Sequence, residues 1–195
     1  MGRMIAAALL SITMSGCAVV AAVGGSAVEG LVYMAQGKEA SFPISMRATL
    51  VSVQRGLKRA DLDVSVLEPV EGGYLIAFGN ESLDGKVTLK KQTKSLTTIS
   101  VKVKSGAVRE ESVEQALVES IRKKSETVKR FDRFDFRRYK NIREKPNVFA
   151  KKLGWFLPGK HLEVKSLKDS EWLRLKLPSG KSAYLKGSLA ASALK

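Results

Sequence analysis

Hydrophobic and polar positions change their period along the chain, and these periods predict its secondary structure. Residues 4–28 contain no charged side chain at all. Two later stretches have the spacing of amphipathic helices, with apolar side chains on one face. The apolar positions are Met46, Leu50, Val53 and Leu57 in the first stretch, and Val113, Leu117 and Ile121 in the second. Ser45 is a suitable N-cap for the first helix.

Between the two predicted helices, apolar and polar residues alternate as they do in half-buried strands. The turn Glu71-Gly72-Gly73 separates two apolar runs and predicts a hairpin, and Asp84-Gly85 predicts a second tight turn. Residues 33–42 are a candidate opening strand. The order of strand, helix, three or four antiparallel strands and helix predicts an α+β domain over residues 31–125. We expect both helices to cover one face of a small antiparallel sheet.

The region after residue 139 alternates strand and turn signals and has no helical period. Trp172, Leu173 and Leu175 alternate with Arg174 and Lys176 in one clear strand. A hairpin turn is predicted directly after it, at Pro178-Ser179-Gly180-Lys181. The sequence therefore predicts that residues 140–195 form an all-β unit.

The uncharged N-terminal stretch has the layout of an export signal. Arg3 precedes an apolar run at residues 4–13, and Met14-Ser15-Gly16-Cys17 follows. This resembles the lipobox of bacterial lipoproteins, in which the cysteine is acylated and becomes the mature N-terminus. The resemblance implies a signal peptide at residues 1–16, a lipid on Cys17 and a tether over residues 17–30. Ala18 stands where the lipoprotein pattern uses aspartate for inner-membrane retention, so the resemblance implies the outer membrane.

Two other interpretations of this stretch stay open. Residues 4–28 are long enough to cross a bilayer as an uncleaved helix. A lone cysteine among apolar residues is also often a small buried side chain. Because Cys17 is the only cysteine among 195 residues, the chain forms no internal disulfide under any of these interpretations.

Charge is distributed unevenly, with a formal net charge of +15 over the whole chain. Residues 17–126 carry 15 basic and 13 acidic side chains, whereas residues 127–195 carry 18 basic and only 6 acidic ones. This change predicts a domain boundary near residue 126, followed by a basic, aromatic linker and first strand over residues 126–139. The basic half should seek an anionic partner.

Each predicted domain resembles a known family. Residues 31–125 are similar to a family of short proteobacterial lipoproteins of unknown function. The residues that carry the likeness are Leu57-Lys58-Arg59, Leu83-Asp84-Gly85-Lys86-Val87 and Thr98-Ile99-Ser100-Val101-Lys102-Val103.

Residues 140–195 resemble the bacterial SH3-like (SH3b) domain of cell-envelope proteins. The matching positions are Asn141, Ile142, Arg143, Pro146, Gly154, Gly159, Val164, Trp172, Leu175, Gly180, Lys181 and Tyr184. The chain departs from the pattern at Ala183-Tyr184, where the family usually has Gly-Trp. The resemblance implies an SH3-like barrel that binds an envelope ligand. Candidate ligand-binding residues are Trp155, Trp172, Tyr184, Arg143 and Arg174, although Trp172 and Tyr184 are equally suited to the core.

Other chemistry-bearing residues favour structural roles. His161 is the only histidine, and a hydrolase would need it paired with a cysteine or serine. The only cysteine is the expected lipidation site, and a single histidine on a strand beside Leu162 and Val164 is most often structural. Two groups of carboxylates match no metal-loop spacing and suit helix ends or solvated strands. They are Asp61, Asp63 and Glu68, and Glu110, Glu111 and Glu114. The basic and aromatic residues 123–139 would suit nucleic acid, but an exported protein does not normally meet it.

We therefore expect a non-enzymatic protein without a cofactor or metal, lipid-anchored in the outer membrane and facing the periplasm. Its expected partners are the membrane, through the N-terminal lipid, and peptidoglycan stem peptide, with no nucleic acid. The alternative is an envelope adaptor in which both domains dock partner proteins.

Overall fold

Both predicted helices are present in the computed structural model, which describes residues 37–158, 164–168 and 170–187. Helix α1 is Met46–Arg59, and the Ser45 side chain caps it by accepting a hydrogen bond from the Ala48 N–H at 3.4 Å. Helix α2 is Glu111–Ser125. The two helices touch at Gly56, where an added Cβ would lie 2.8 Å from Ile121 Cγ1. Among the described residues, no helix has the length and apolar character needed to cross a bilayer.

The described strands belong to one antiparallel sheet. In spatial order they run β1-β5-β4-β3-β2-β8-β7-β11-β10-β9, and β6 pairs only with β5. The first six strands are β1 Lys38–Phe42, β2 Asp63–Val70, β3 Gly73–Gly79, β4 Asp84–Lys91, β5 Thr97–Ser105 and β6 Val108–Arg109. The other five are β7 Lys140–Arg143, β8 Lys152–Phe156, β9 Val164–Ser166, β10 Trp172–Lys176 and β11 Ser182–Lys186.

The expected fold class, an α+β domain followed by an SH3-like barrel, is wrong. Strand β8 pairs with β2, with Val66 opposite Phe156 and Leu67 opposite Trp155. The sheet therefore passes without a break from the first half of the chain into the second. In the described part of the chain, the strands from β8 to β9 form an open run and not a closed ring. Local alternation predicted several of the strands, β10 among them, but carries no information on which edges join.

Gly154 is what lets β8 lie against β2. A Cβ at this position would stand 2.3 Å from the backbone oxygen of Leu67, closer than any real Cβ contact. The glycine was predicted as part of the SH3-like pattern, but its role in the structure is the close approach of two backbones.

Strand β2 is buried on both faces and contributes to two hydrophobic cores. A β-bulge at Ser65 resets the alternation of its side chains. Val64 and Leu67 consequently face the helices and join the larger core, whereas Val66 faces the opposite side. The second core contains the following buried residues: Val66, Ile142, Phe156, Leu173, Leu175, Leu177, Ala183 and Leu185.

A buried carboxylate on β2 anchors the turn between β10 and β11. Glu68 is 3% exposed and accepts hydrogen bonds from the Ser179 hydroxyl at 2.6 Å and the Ser179 N–H at 3.0 Å. Beside it, the Lys86 ammonium donates to the Pro178 carbonyl at 2.9 Å. The predicted hairpin turn is thus confirmed, and it is fixed to strands β2 and β4.

The second predicted tight turn, Asp84-Gly85, is wrong. Both residues lie in β4, and the turn comes earlier, where the Asn80 side chain accepts hydrogen bonds from the Ser82 and Leu83 N–H groups at 2.9 Å. Gly85 is needed for packing, because an added Cβ would lie 2.2 Å from the Phe78 ring. A turn dipeptide and a packing glycine look alike in sequence.

Replacing Gly154 by alanine should destabilise the protein by about 1–3 kcal/mol or more, because the new Cβ pushes β8 away from β2. Urea unfolding checks this value. Ser166→Ala, at an exposed position on β9, is the control and should shift the free energy of unfolding by less than about 0.5 kcal/mol. Equal stability of the wild-type protein and the Gly154→Ala variant would contradict the assigned role of the β2–β8 contact.

Candidate functional site

The sheet face that carries the helices continues past them onto the last five strands. On β10, Leu173 and Leu175 are buried in the second core, so Arg174 between them lies on the opposite, exposed face. The same alternation on β7 buries Ile142 and places Arg143 beside that face. This part of the sheet is therefore apolar on its inner side and polar on its outer side.

Cross-strand register brings four of these outer residues into one row. Tyr184 on β11 pairs with Arg143 on one side and with Arg174 on the other, and Arg174 pairs with Lys165 on β9. Strands lie about 4.8 Å apart, so the row is about 14 Å long. We call this surface the basic aromatic face, and its members are Arg143, Lys165, Trp172, Arg174, Lys176, Tyr184 and Lys186.

The charges of the basic aromatic face are only partly neutralised. Lys186 is paired with Glu171 at 3.1 Å. Arg174 and Lys165 form no ion pair with any carboxylate of the described residues. The Arg143 guanidinium donates to the Ala150 carbonyl at 2.7 Å, which fixes its position, and it forms no ion pair with a described carboxylate.

The chemistry of this arrangement is that of binding. Guanidinium groups donate paired hydrogen bonds to carboxylates or phosphates, and they keep their charge at any physiological pH. An aromatic ring between two cations offers a flat apolar surface to the rest of a ligand. A row of this kind matches an extended ligand with repeated negative charges.

Trp155 lies apart from this row although it was predicted together with it. Its ring is 4.6 Å from the ring of Phe136, and the Lys152 ammonium lies 3.8 Å from its centroid. Burial, followed by the charge of Arg143, lowers the pKa of Lys152 below its usual value. The structure thus brings together four of the five predicted ligand-binding residues and gives Trp155 a packing role.

Three of the four aromatic residues between positions 130 and 139 are occupied by packing. Phe134 is buried, and its ring lies 4.7 Å from that of Phe136. The Tyr139 hydroxyl donates to the Val64 carbonyl at 3.0 Å, and burial raises the pKa of Tyr139 to about 12. The rings of Phe134, Phe136 and Tyr139 are thus engaged in packing, although Phe136 stays 36% exposed, and Phe131 is 83% exposed.

Sequence reasoning missed Lys165 as a member of the row. Strand β9 has only three residues, too few for a period to be recognised. Its register against β10 is what places Lys165 beside Arg174. Alternation along β10 and β11 is the signal by which Lys176 and Lys186 could have been found.

The carboxylate groups include two side chains that are buried, contrary to the expected solvated strands and helix ends. Glu68 is the anchor described above. Glu114 is 1% exposed and accepts hydrogen bonds from Arg109 at 2.7 and 2.9 Å and from the Val103 N–H at 3.1 Å. Burial raises the pKa of Glu114, but these hydrogen bonds outweigh it, so the net pKa lies below the usual value. Both buried carboxylates, Glu68 and Glu114, therefore have structural roles.

Asp61 and Asp63 border a cleft of about 550 Å³ that also contains Arg138. Among residues 37–158, 164–168 and 170–187, no group of three side chains could hold a metal ion. Cys17, the predicted lipidation residue, and the single histidine, His161, lie outside the described residues.

No protein-family profile matches the chain, and no curated protein matches it.

Replacing Glu114 by glutamine should lower the free energy of unfolding at pH 7 by about 1–3 kcal/mol, because hydrogen bonds to a buried charge are lost. The depressed pKa makes this contribution complete above pH 4.5 and lost as the pH falls through the folded pKa. The difference between wild type and variant should therefore shrink in acid.

Urea unfolding at pH 7 and pH 3 measures both effects. Glu119→Gln removes a carboxylate from the exposed side of the same helix and serves as the control. A difference that stays constant between the two pH values would contradict a buried, ionised Glu114.

Proposed function

We propose that the protein is a lipid-anchored, non-enzymatic component of the bacterial cell envelope. In this proposal the basic aromatic face binds an anionic envelope polymer, and the stem peptides of peptidoglycan are the ligand. The single observation that carries the proposal is the cross-strand row of Arg143, Tyr184, Arg174 and Lys165.

Stem peptides suit this row because they carry carboxylates at intervals along an extended chain. Two guanidinium groups on either side of Tyr184 can each take one carboxylate, while the ring contacts the aliphatic part of the peptide. The formal charge of +12 over residues 127–195 favours encounter with such a polyanion.

The location rests on the lipobox resemblance at residues 14–17. Each buried methylene contributes about 0.8 kcal/mol, so two or more acyl chains form a stable anchor where one chain alone does not. Ala18 after the cysteine favours the outer membrane in this pattern. The protein would then face the periplasm, where the cell wall is within reach.

A second candidate function is that of an adaptor between envelope proteins. Val148 and Phe149 stand side by side in the loop between β7 and β8, and Phe149 is 92% exposed. Exposed apolar pairs of this kind often mark protein contacts. Cross-linking in cells that recovers a protein at this loop would favour the adaptor.

The full-length protein should co-sediment with purified cell-wall sacculi, and salt should weaken the binding. Arg174→Gln combined with Lys165→Gln should lower the affinity about fivefold or more, because two uncompensated charges are lost. The sedimented fraction over a sacculus titration at low salt gives this value.

Lys58→Gln combined with Arg59→Gln removes the same charge at the exposed end of α1 and is the matched control. If both double variants lose binding equally, the attraction is a property of net charge and not of the basic aromatic face. No sedimentation of the wild-type protein at low salt would refute the proposed ligand.

Cys17 should incorporate a fatty-acid probe in growing cells, and Cys17→Ser should abolish the label. Substitution of Cys17 also blocks the expected cleavage, so the variant should migrate as the longer precursor. Undiminished labelling of the variant would show that the anchor lies elsewhere.

A further inference from the structure

Phe131 occupies the tip of a tight turn and is 83% exposed. The turn spans residues 129–132 and is closed by a hydrogen bond from the Asp132 N–H to the Lys129 carbonyl at 3.1 Å. Arg130 precedes Phe131 and Arg133 follows the turn, and both are exposed. A large aromatic side chain thus projects between two cations.

The turn is fixed to helix α1 on its inner side. Asp132 forms a salt bridge with Arg55 at 2.9 Å and accepts a hydrogen bond from the Lys129 N–H at 2.9 Å. The Arg47 guanidinium donates to the carbonyl oxygens of Asp132 and Lys129. These contacts hold both ends of the turn, so Phe131 points outward from a pre-organised base.

The segment around Phe131 carries more cations than anions. Asp132 is engaged with Arg55, and the other acidic residue of this stretch, Asp135, is paired with Arg137 at 2.7 Å. Lys129 and Arg130 form no ion pair with a carboxylate of the described residues. Within the described part of the chain, the apolar tip therefore has cations beside it that form no ion pair with an acid.

The shape of this tip distinguishes between anionic partners. It is a convex turn, so it offers no groove or flat platform for a peptide or glycan. Base stacking needs several open rings, but Phe134 and Phe136 are already packed against each other and against Tyr139 or Trp155. A single aromatic side chain among cations instead matches the interface of a bilayer, where the ring enters the headgroup layer and the cations meet lipid phosphates.

We propose that the turn at residues 129–132 docks on the surface of an anionic phospholipid membrane, with Phe131 inserted at the interface and Arg130 and Arg133 on the headgroups. This contact is separate from the lipid on Cys17 and does not depend on the peptidoglycan proposal. It would orient the protein on the membrane instead of merely holding it nearby.

The experiment uses the full chain with Cys17→Ser, which removes the only cysteine, and introduces one cysteine at a time for an environment-sensitive fluorophore. The label is placed at Phe131→Cys and, as the control, at Val108→Cys, which is exposed in the β5–β6 hairpin. The probes are vesicles of phosphatidylethanolamine with phosphatidylglycerol, vesicles of phosphatidylcholine alone, and a duplex DNA oligonucleotide.

We expect at least a twofold rise in fluorescence and a blue shift at position 131 with the anionic vesicles. Little change is expected at position 108 or with phosphatidylcholine. Arg130→Gln with Arg133→Gln, or 0.5 M salt, should shift the response to higher lipid concentration by about fivefold or more.

Three outcomes would overturn the proposal. No response at position 131 excludes insertion of the tip. Equal responses at positions 131 and 108 mean that another part of the chain adsorbs to the vesicles. A response to DNA as strong as that to anionic lipid means that the tip recognises phosphate without recognising a membrane.

Discussion

The pairing of β8 with β2 is the interaction on which the rest of the structure depends. It requires Gly154, because the two backbones come closer there than any side chain allows. Once β8 is in place, Phe156 lies beside Val66 on the neighbouring strand, and both residues belong to the second core. Val66, in the first half of the chain, therefore contributes to the core of the last five strands.

Polar contacts also stabilise the region around the β2–β8 pair. Glu68 holds the turn after β10, and Tyr139 reaches the carbonyl of Val64 on the same strand. The connection between α2 and β7 is itself tied to α1, where the Gln54 side chain exchanges two hydrogen bonds with the backbone of Asp135 at 2.8 and 3.0 Å. Glu68 is buried and Tyr139 is half-buried, whereas the Gln54–Asp135 hydrogen bonds lie at the surface beside α1.

The β2–β8 pairing also explains where the candidate binding surfaces lie. The inner side of the last strands packs in the second core with Val66 and Phe156. The cations of β7, β9, β10 and β11 therefore lie on the outer side. Of the aromatic residues before β7, Phe134 is buried in the larger core, Phe136 and Tyr139 pack beside it, and Phe131 is the most exposed, at 83%. In the folded protein, part of the basic, aromatic segment at residues 126–139 is packed and part of it is exposed.

The amino-acid sequence by itself determined the local elements. Helix α1, helix α2, the hairpin turns at Gly72 and Gly180, and the strand at Trp172 all follow from side-chain period and turn chemistry, which act over a few residues. The SH3-like resemblance and the alternation along β10 also identified four candidates, Arg143, Arg174, Trp172 and Tyr184. Both signals depend only on the order of residues along the chain.

Only the tertiary structure decided how these elements join and which candidates meet. The β2–β8 pair links residues about ninety positions apart, and nothing in the local pattern of either strand specifies that partner. Lys165 belongs to the row although it was not predicted, and Trp155 does not belong to it although it was. Glu68 and Glu114 are buried although they were expected to be solvated. Each of these positions depends on a segment that is distant in the sequence. Such contacts are long-range, whereas sequence periods report only the faces of single elements.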